Sequence, residues 1–375
     1  MIVGHPNESF RAASIFPEMH VNWLEEELDS LEERSQQPFR ISESVKKEIK
    51  NILPYWKGRT LYDFAFKSYP KEVIDARERV GIFSSEQNER GGVGNVLLDY
   101  PMLLENGLEG IINDIKKRCN ELDPTEPQNI QKIQFYNSAI LTCEAAITFA
   151  NRYSKLAKKL AEKEKNIKRK KELEKIAEIC QRVPKKPAKS FWEALQSIWF
   201  IQLITQIETN GIAVSLGRMD QYLYPYYKKD ILEKRLTKDE AFELLECFLI
   251  KLNEIVRIYD EKAALINAGL PAFQNITIGG RNIDNSDATN DLTYMFLDAL
   301  MELRLPQIHI VLKIHRNTPK DLLLKGIKSV KVVQGMPAFV GDEALEQFLL
   351  SKGIPEAEAR TYALSGCVTP GVYGV

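Results

Sequence analysis

The sequence has no excess of charge of either sign: 51 Lys and Arg stand against 52 Asp and Glu, a formal net charge of -1. A polyanion would meet no overall basic field, so nucleic acid is not an expected partner. Long apolar runs are missing too. The most apolar stretch, residues 198–207, is short and carries Gln202 and Gln206, whereas crossing a bilayer takes about 20 residues. It reads as a buried helix, and no membrane partner is expected. The opening Met1-Ile-Val-Gly-His-Pro lacks the basic start and apolar core of an export signal, so a cytoplasmic location is expected. Histidine is scarce, at 4, and the cysteines Cys119, Cys143, Cys180, Cys247 and Cys367 are scattered, without a CxxC pair or a His at ligand spacing. That pattern suits reduced thiols and argues against a structural zinc or a disulfide framework. HExxH and GxSxG are absent. Gly91-Gly-Val-Gly94 is not followed by Lys and Ser/Thr, and Gly279-Gly280 lacks GxGxxG spacing, so neither is a phosphate loop. His309 and His315 lie near one strand, but His309, between Ile308 and Ile310, reads as packing rather than as a metal ligand.

What is present is an ordinary globular composition, 44% hydrophobic and 27% charged. Apolar spacing predicts helices over 22–34, from Ser42 to just before Pro54, over 101–122 and through the long run 128–182. Within residues 155–175 ten Lys/Arg and four Glu alternate with Leu156, Leu160, Ile167 and Leu173, which reads as a solvated helix face. After a turn at Pro184-Lys-Lys-Pro187 comes an apolar helix over 191–206, then a buried strand over 211–217. The aromatic run Tyr222, Tyr224, Tyr226 and Tyr227 reads as packing. Thr237, with Glu240 three residues on, caps a helix reaching about residue 259. A strand over 274–280, a helix over 287–304, a strand over 308–315 and a helix over 321–329 follow. This alternation predicts parallel α/β architecture, a barrel or a wound sheet. Residues 1–190 form a mainly helical part, and 191–375 an α/β part that ends in a cysteine-bearing loop. The tail Val368-Thr-Pro-Gly-Val-Tyr-Gly-Val375 brings no strand to close a barrel, so the chain is expected to be part of a larger unit.

Cys367 is singled out by its setting. Ser365-Gly366-Cys367-Val368-Thr369-Pro370 follows a predicted helical stretch over 356–364, with glycine to free the backbone and proline to pin the turn. Such a loop can hold a thiol at a fixed point. The chain here resembles the glycyl radical enzymes, the family of pyruvate formate-lyase and its dehydratase and decarboxylase relatives. The resemblance rests on Ile2-Val-Gly4 with Arg11-Ala-Ala-Ser-Ile-Phe-Pro-Glu18, Pro54-Tyr-Trp-Lys-Gly58, Gly217-Arg-Met-Asp-Gln-Tyr-Leu-Tyr-Pro-Tyr-Tyr227, Gln274-Asn-Ile-Thr-Ile-Gly-Gly280, Leu305-Pro-Gln307, Gln334-Gly-Met-Pro-Ala-Phe339 and Gly366-Cys-Val368.

The resemblance implies a ten-stranded α/β barrel of two half-barrels, of which this chain is the helix-rich first half, incomplete without the C-terminal half. It implies Cys367 as the catalytic thiol, converted to a thiyl radical. The glycyl radical lies on a residue outside this chain and is installed by an iron–sulfur, S-adenosylmethionine-dependent activating enzyme. No metal or organic cofactor is expected on this chain, which alone is expected to be inactive. The complete enzyme is expected to be a homodimer acting on a small organic substrate. Asn95, Ile212, Ala213, Gly366, Thr369 and Phe339 are the candidate substrate-binding residues. Pyruvate formate-lyase carries two adjacent cysteines where this chain has Gly366 and Cys367, so acetyl transfer is not expected. Dehydratases and decarboxylases place a glutamate base where Thr369 stands, a histidine at the position of Asn95 and a His-Ser pair at Ile212 and Ala213. These neutral replacements favour addition of a hydrocarbon-like substrate to fumarate. A dehydratase or decarboxylase is the alternative enzyme class, and an inert fragment or split subunit the non-enzymatic one.

Overall fold

The computed structural model describes residues 1–6, 13–80, 94–209, 211–267, 272–366 and 369–373. Four short helices come first, α1 (Asn22–Glu27), α2 (Glu43–Trp56), α3 (Leu61–Ser68) and α4 (Lys71–Val80). Val21, Leu24, Leu28, Leu31, Ile49 and Leu53 pack together among them. The first helix is shorter than its apolar spacing predicts, because Leu28 and Leu31 reach the same cluster from turns. The second runs through Pro54 to Trp56 instead of stopping before it. Proline removes one bond close to the helix end, where water can take the freed carbonyl.

Strand β1 (Val96–Leu97) precedes α5 (Tyr100–Asn120), α6 (Pro127–Lys163) and α7 (Ile167–Arg182). The last two form a hairpin whose seam is small: Ala150, Ala157, Ala177 and Cys180 meet Ile176 and Phe200, and Ser154 Oγ donates to Ala177 O at 2.7 Å. Leu156, Leu160 and Ile167 are exposed, and of the four apolar residues expected along this face only Leu173 is buried. Close helix approach favours alanine over leucine at such a seam. The lysines of the run are all exposed, and Arg169 is half-buried.

At the centre lies α8 (Phe191–Thr209), in which Phe191, Leu195, Ile198, Trp199 and Leu203 are fully buried. Its buried glutamines all do structural work. Gln196 exchanges two hydrogen bonds with the backbone of Val3, at 2.8 and 2.7 Å, as a neighbouring strand would. Gln202 accepts from Tyr100 Oη at 2.6 Å and donates to Val214 O at 2.8 Å and Gln274 Oε1 at 2.7 Å.

The second part carries β2 (Val214–Ser215), α9 (Met219–Tyr222), α10 (Tyr224–Leu232), α11 (Lys238–Asn253), α12 (Glu261–Asn267), β3 (Gln274–Gly279), α13 (Asp291–Leu303), β4 (Ile308–Ile314), α14 (Lys320–Val333), β5 (Ala338–Gly341), α15 (Asp342–Ser351), α16 (Glu356–Arg360), β6 (Ala363–Ser365) and β7 (Thr369–Gly371). Strands β1 and β2 pair in parallel, Gly217 bridges Ile276 of β3, and β3, β4 and β5 pair in parallel. The order across the open sheet is therefore β1-β2-β3-β4-β5, and residues 1–190 contribute its first strand. This is helix-rich α/β architecture, one half of a ten-stranded barrel. The strand predicted over 211–217 is only two residues long, since Ala213 takes a left-handed backbone at φ 65°. Likewise the helix predicted over 356–364 ends at Arg360, and residues 363–365 become strand by pairing antiparallel with β7.

Alternation divides the sheet's two faces. Ile276, Ile278, Ile308, Ile310 and Leu312 join the main core under α8, α11 and α13. Asn275, Thr277, His309, Val311 and Lys313 face the other way, toward the β6–β7 hairpin. No helix among the described residues is long and apolar enough to cross a membrane.

Gly217, at φ 71°, ends the β2 segment where Tyr373 Oη accepts from Arg218 N, and a Cβ there would overlap the phenol. Gly217→Ala should therefore cost about 2–4 kcal/mol from left-handed strain and overpacking. A lowered thermal midpoint in circular dichroism is the expected readout, and an unchanged midpoint would contradict the placement of Tyr373.

Candidate active site

The β6–β7 hairpin lies across the inner face of the sheet and is held by side chains rather than by a strand ladder. Leu364 N donates to Thr277 Oγ1 at 3.0 Å, and Asn275 Nδ2 donates to Gly366 O. Ser365 Oγ donates to Ala213 O at 2.8 Å. At the base of the hairpin the ammonium of Lys313, fully buried, donates to Arg360 O at 3.1 Å and Tyr362 O at 3.0 Å and pairs with Asp342 Oδ1 at 3.1 Å. Its Nζ lies 3.6 Å from the centre of the Tyr362 ring. Burial pushes this lysine down to about 7, with Asp342 opposing the shift. Arg281 and Arg360 surround the same spot with Glu346, so the charged cluster is internally paired.

Sequence motifs explain the frame around the hairpin. In Gly217-Arg-Met-Asp220 the guanidinium of Arg218 donates to Gly279 O at 2.8 Å and Arg281 O at 3.0 Å. Asp220, fully buried, accepts from Gly279 N at 2.8 Å and Thr293 Oγ1 at 2.6 Å. Burial pushes its carboxyl up, while Arg218 and these donors pull it back. Together the two residues lock the end of β3 to α9 and α13.

Cys367 and Val368 lie outside the described residues, as do Arg11, Ala12, Asn210 and Gly91 to Val93. On either side of Cys367 the geometry is defined. Gly366 has φ 58°, and a Cβ on it would collide with Asn95 Oδ1 and come within 3.4 Å of Ala213 Cβ. Asn95 N in turn donates to Ile212 O at 3.0 Å. Four predicted site residues, Asn95, Ile212, Ala213 and Gly366, are thus brought together. Thr369 stands opposite Ser365 at the exposed start of β7. Phe339 does not join them. It stands on β5 opposite Leu312, and its ring packs over Gly326 of α14 on the far side of the sheet. Alternation along the strand is the physical reason.

Sequence reading did not single out Asn275, Thr277, Ser365 and Lys313, and took His309 only as packing. Their signal is a polar residue at every second position of strands that otherwise read as apolar. His309 is buried with its ring 4.8 Å from that of Phe273, and burial pushes it down to about 4. His315 instead pairs through Nε2 with Asp287 at 3.0 Å. Of the other cysteines, Cys180 is buried in the alanine seam, with its thiol pushed up to about 12 by burial. Cys119, Cys143 and Cys247 are half-buried.

An open parallel sheet with the β6–β7 hairpin laid on its inner face is the arrangement of a partial barrel. The chain belongs to the pyruvate formate lyase-like family of glycyl radical enzymes, whose profile matches residues 1–375. It is 35% identical over 377 residues to isethionate sulfite-lyase of Nitratidesulfovibrio vulgaris, covering 98% of this chain and 46% of that protein. A solved structure described as 1,2-propanediol dehydration in Roseburia inulinivorans matches with a TM-score of 0.96 at 38% identity, covering 100% of this chain and 47% of the other. The glycerol-bound, B12-independent glycerol dehydratase of Clostridium butyricum matches with a TM-score of 0.95 at 40% identity, covering 100% and 47%. The chain spans about half the length of these relatives.

His309 makes stability pH-dependent. Its folded-state value of about 4 lies below the usual 6.5. The unfolded chain therefore binds more protons between these two values, and stability is lost as pH falls from 6.5 to 4. His309→Phe should remove roughly 2–3 kcal/mol of that acid loss. Denaturant titrations at pH 7 and pH 4.5 check this, and an equal loss of unfolding free energy between the two pH values in both proteins would refute it.

Proposed function

We propose that this chain supplies the thiol-bearing half of a glycyl radical lyase. In this reading Cys367, as a thiyl radical, takes hydrogen from a hydroxyl-bearing carbon, and a group is expelled from the carbon next to it. S–H and C–H bonds are close in strength, so the transfer is nearly balanced and Cys367 returns the hydrogen at the end. Written for HO–CHR–CH₂–X, the products are O=CR–CH₃ and HX, with no net oxidant or reductant. The supporting observation is the clamp on Gly366, from Asn275 and against Asn95, which fixes the backbone beside Cys367. In this reading turnover belongs to a complete dimeric assembly, after an iron–sulfur, S-adenosylmethionine-dependent activating enzyme has installed a glycyl radical.

Elimination is favoured over addition to fumarate because the relatives above are a lyase and dehydratases. The leaving group is constrained by the wall of the site. Expelling hydroxide needs a proton from a positioned acid, worth about 10²–10⁴-fold. Asn95, Ala213 and Thr369 are neutral. This supports a leaving group that departs as a stable anion, such as sulfite, over hydroxide.

Two measurements test the reading. In the activated enzyme Cys367→Ser should abolish turnover and leave the glycyl radical signal in electron paramagnetic resonance, because an O–H bond is too strong to relay the hydrogen. Undiminished turnover would refute the role of Cys367. With isethionate, glycerol and 1,2-propanediol offered separately, carbonyl product is expected from isethionate and little from the two diols. Thr369→Glu should raise diol turnover, and robust diol dehydration by the unaltered enzyme would overturn the leaving-group argument.

A further inference from the structure

The inner face of the sheet carries two polar side chains whose capacity the hairpin does not use up. Asn275 and His309 are directly paired in the β3–β4 register. Asn275 is fully buried and spends its amide Nδ2 on Gly366 O, but its Oδ1 is buried without a hydrogen-bond partner among the described residues. His309 is 6% exposed, and its Nδ1 is likewise buried and unpartnered. One side of the imidazole is covered by Phe273, its neighbours Ile308 and Ile310 turn to the opposite core, and the ring therefore looks along the inner face beside Asn275. Buried polar atoms left unpaired cost free energy, which makes such a pair a place where a ligand group is selected.

The chemistry of the two atoms narrows the ligand. An amide oxygen only accepts, and a neutral imidazole has one accepting nitrogen and one donating nitrogen. The nearest cation on this face, Lys313, is two strand repeats away and is engaged by Asp342, Arg360 O and Tyr362 O. An anion would find no counter-charge between Asn275 and His309, whereas a hydroxyl, which donates once and accepts once, matches both.

We propose that Asn275 Oδ1 and the imidazole of His309 form a subsite for the substrate hydroxyl, next to Gly366 on the inner face of the sheet. It rests on the lyase reading above and adds a specificity-determining residue, His309, supplied by β4. This gives the site a hydrogen-bonding group that Asn95, Ile212 and Ala213 do not bring as a histidine. A site built to bond a hydroxyl rejects the analogue that lacks it, because the buried acceptors are then left unpaired.

The test is binding to the complete enzyme before activation, with 2-hydroxyethanesulfonate and ethanesulfonate as probes in calorimetry. The unaltered enzyme should prefer the hydroxylated probe by at least about tenfold. His309→Phe, which keeps a ring against Phe273, should reduce that preference below about threefold, and His309→Gln should retain part of it. After activation, His309→Phe should raise KM about tenfold with kcat changed less than threefold and the radical signal intact. A His309→Phe enzyme with unchanged preference and KM, or an unaltered enzyme with no preference, would overturn the subsite. Discrimination between the probes without any turnover would overturn the lyase reading and leave the subsite standing.

Discussion

A hairpin laid on the face of a sheet has backbone groups that the sheet's own ladder cannot satisfy, because the strands already pair with one another. Buried polar groups must nevertheless find partners. Here the partners are side chains: Thr277 for Leu364 N, Asn275 for Gly366 O and Lys313 for the carbonyls of Arg360 and Tyr362. The position of Gly366 follows from these bonds. Strands in parallel sheets usually read as continuous apolar runs, since both faces are buried in apolar surroundings. The polar inner positions of β3 and β4 depart from that rule where the hairpin rests.

The opposite face obeys the rule and supplies the rigidity. Ile276, Ile278, Ile308, Ile310 and Leu312 pack under α8, and the glutamines of that helix tie distant segments to it. Gln202 connects Tyr100 at the start of α5, the backbone of β2 and the side chain of Gln274 on β3. A single amide thus joins the first helical part to the two strands that flank Ala213. Loss of any one bond would strand buried partners on the others, so the network acts as a unit. The inner-face clamp can be polar and exacting because the outer face is anchored independently.

Much of this was legible in the sequence. Helix and strand alternation placed α8, α11, α13, α14, β3 and β4, and the Thr237 cap with Glu240 appears as a capping box. Asn95, Ile212, Ala213 and Gly366, named separately along the chain, lie together in the structure. Three features were hidden for physical reasons. Ala213 takes a left-handed backbone, which residue type alone does not announce. Phe339 lies in a specific block, but strand alternation turns it to the helix side. His309 does pack, against Phe273, but alternation puts it on the opposite face from its two isoleucine neighbours, which their apolar character hides.

The same geometry bears on which chemistry the hairpin can host. Residue 366 has φ 58°, and the space where its side chain would begin is occupied by Asn95 Oδ1, with Ala213 Cβ just beyond. A cysteine at 366 would meet left-handed strain of about 1–2 kcal/mol and a collision with Asn95. Two adjacent cysteines, one to carry an acyl thioester and one to carry the radical, therefore do not fit this frame unless position 95 also changes. Glycine at 366 and asparagine at 95 are one solution to one packing problem. A larger side chain at 366 would have to be matched by a smaller one at 95, so the two positions constrain each other.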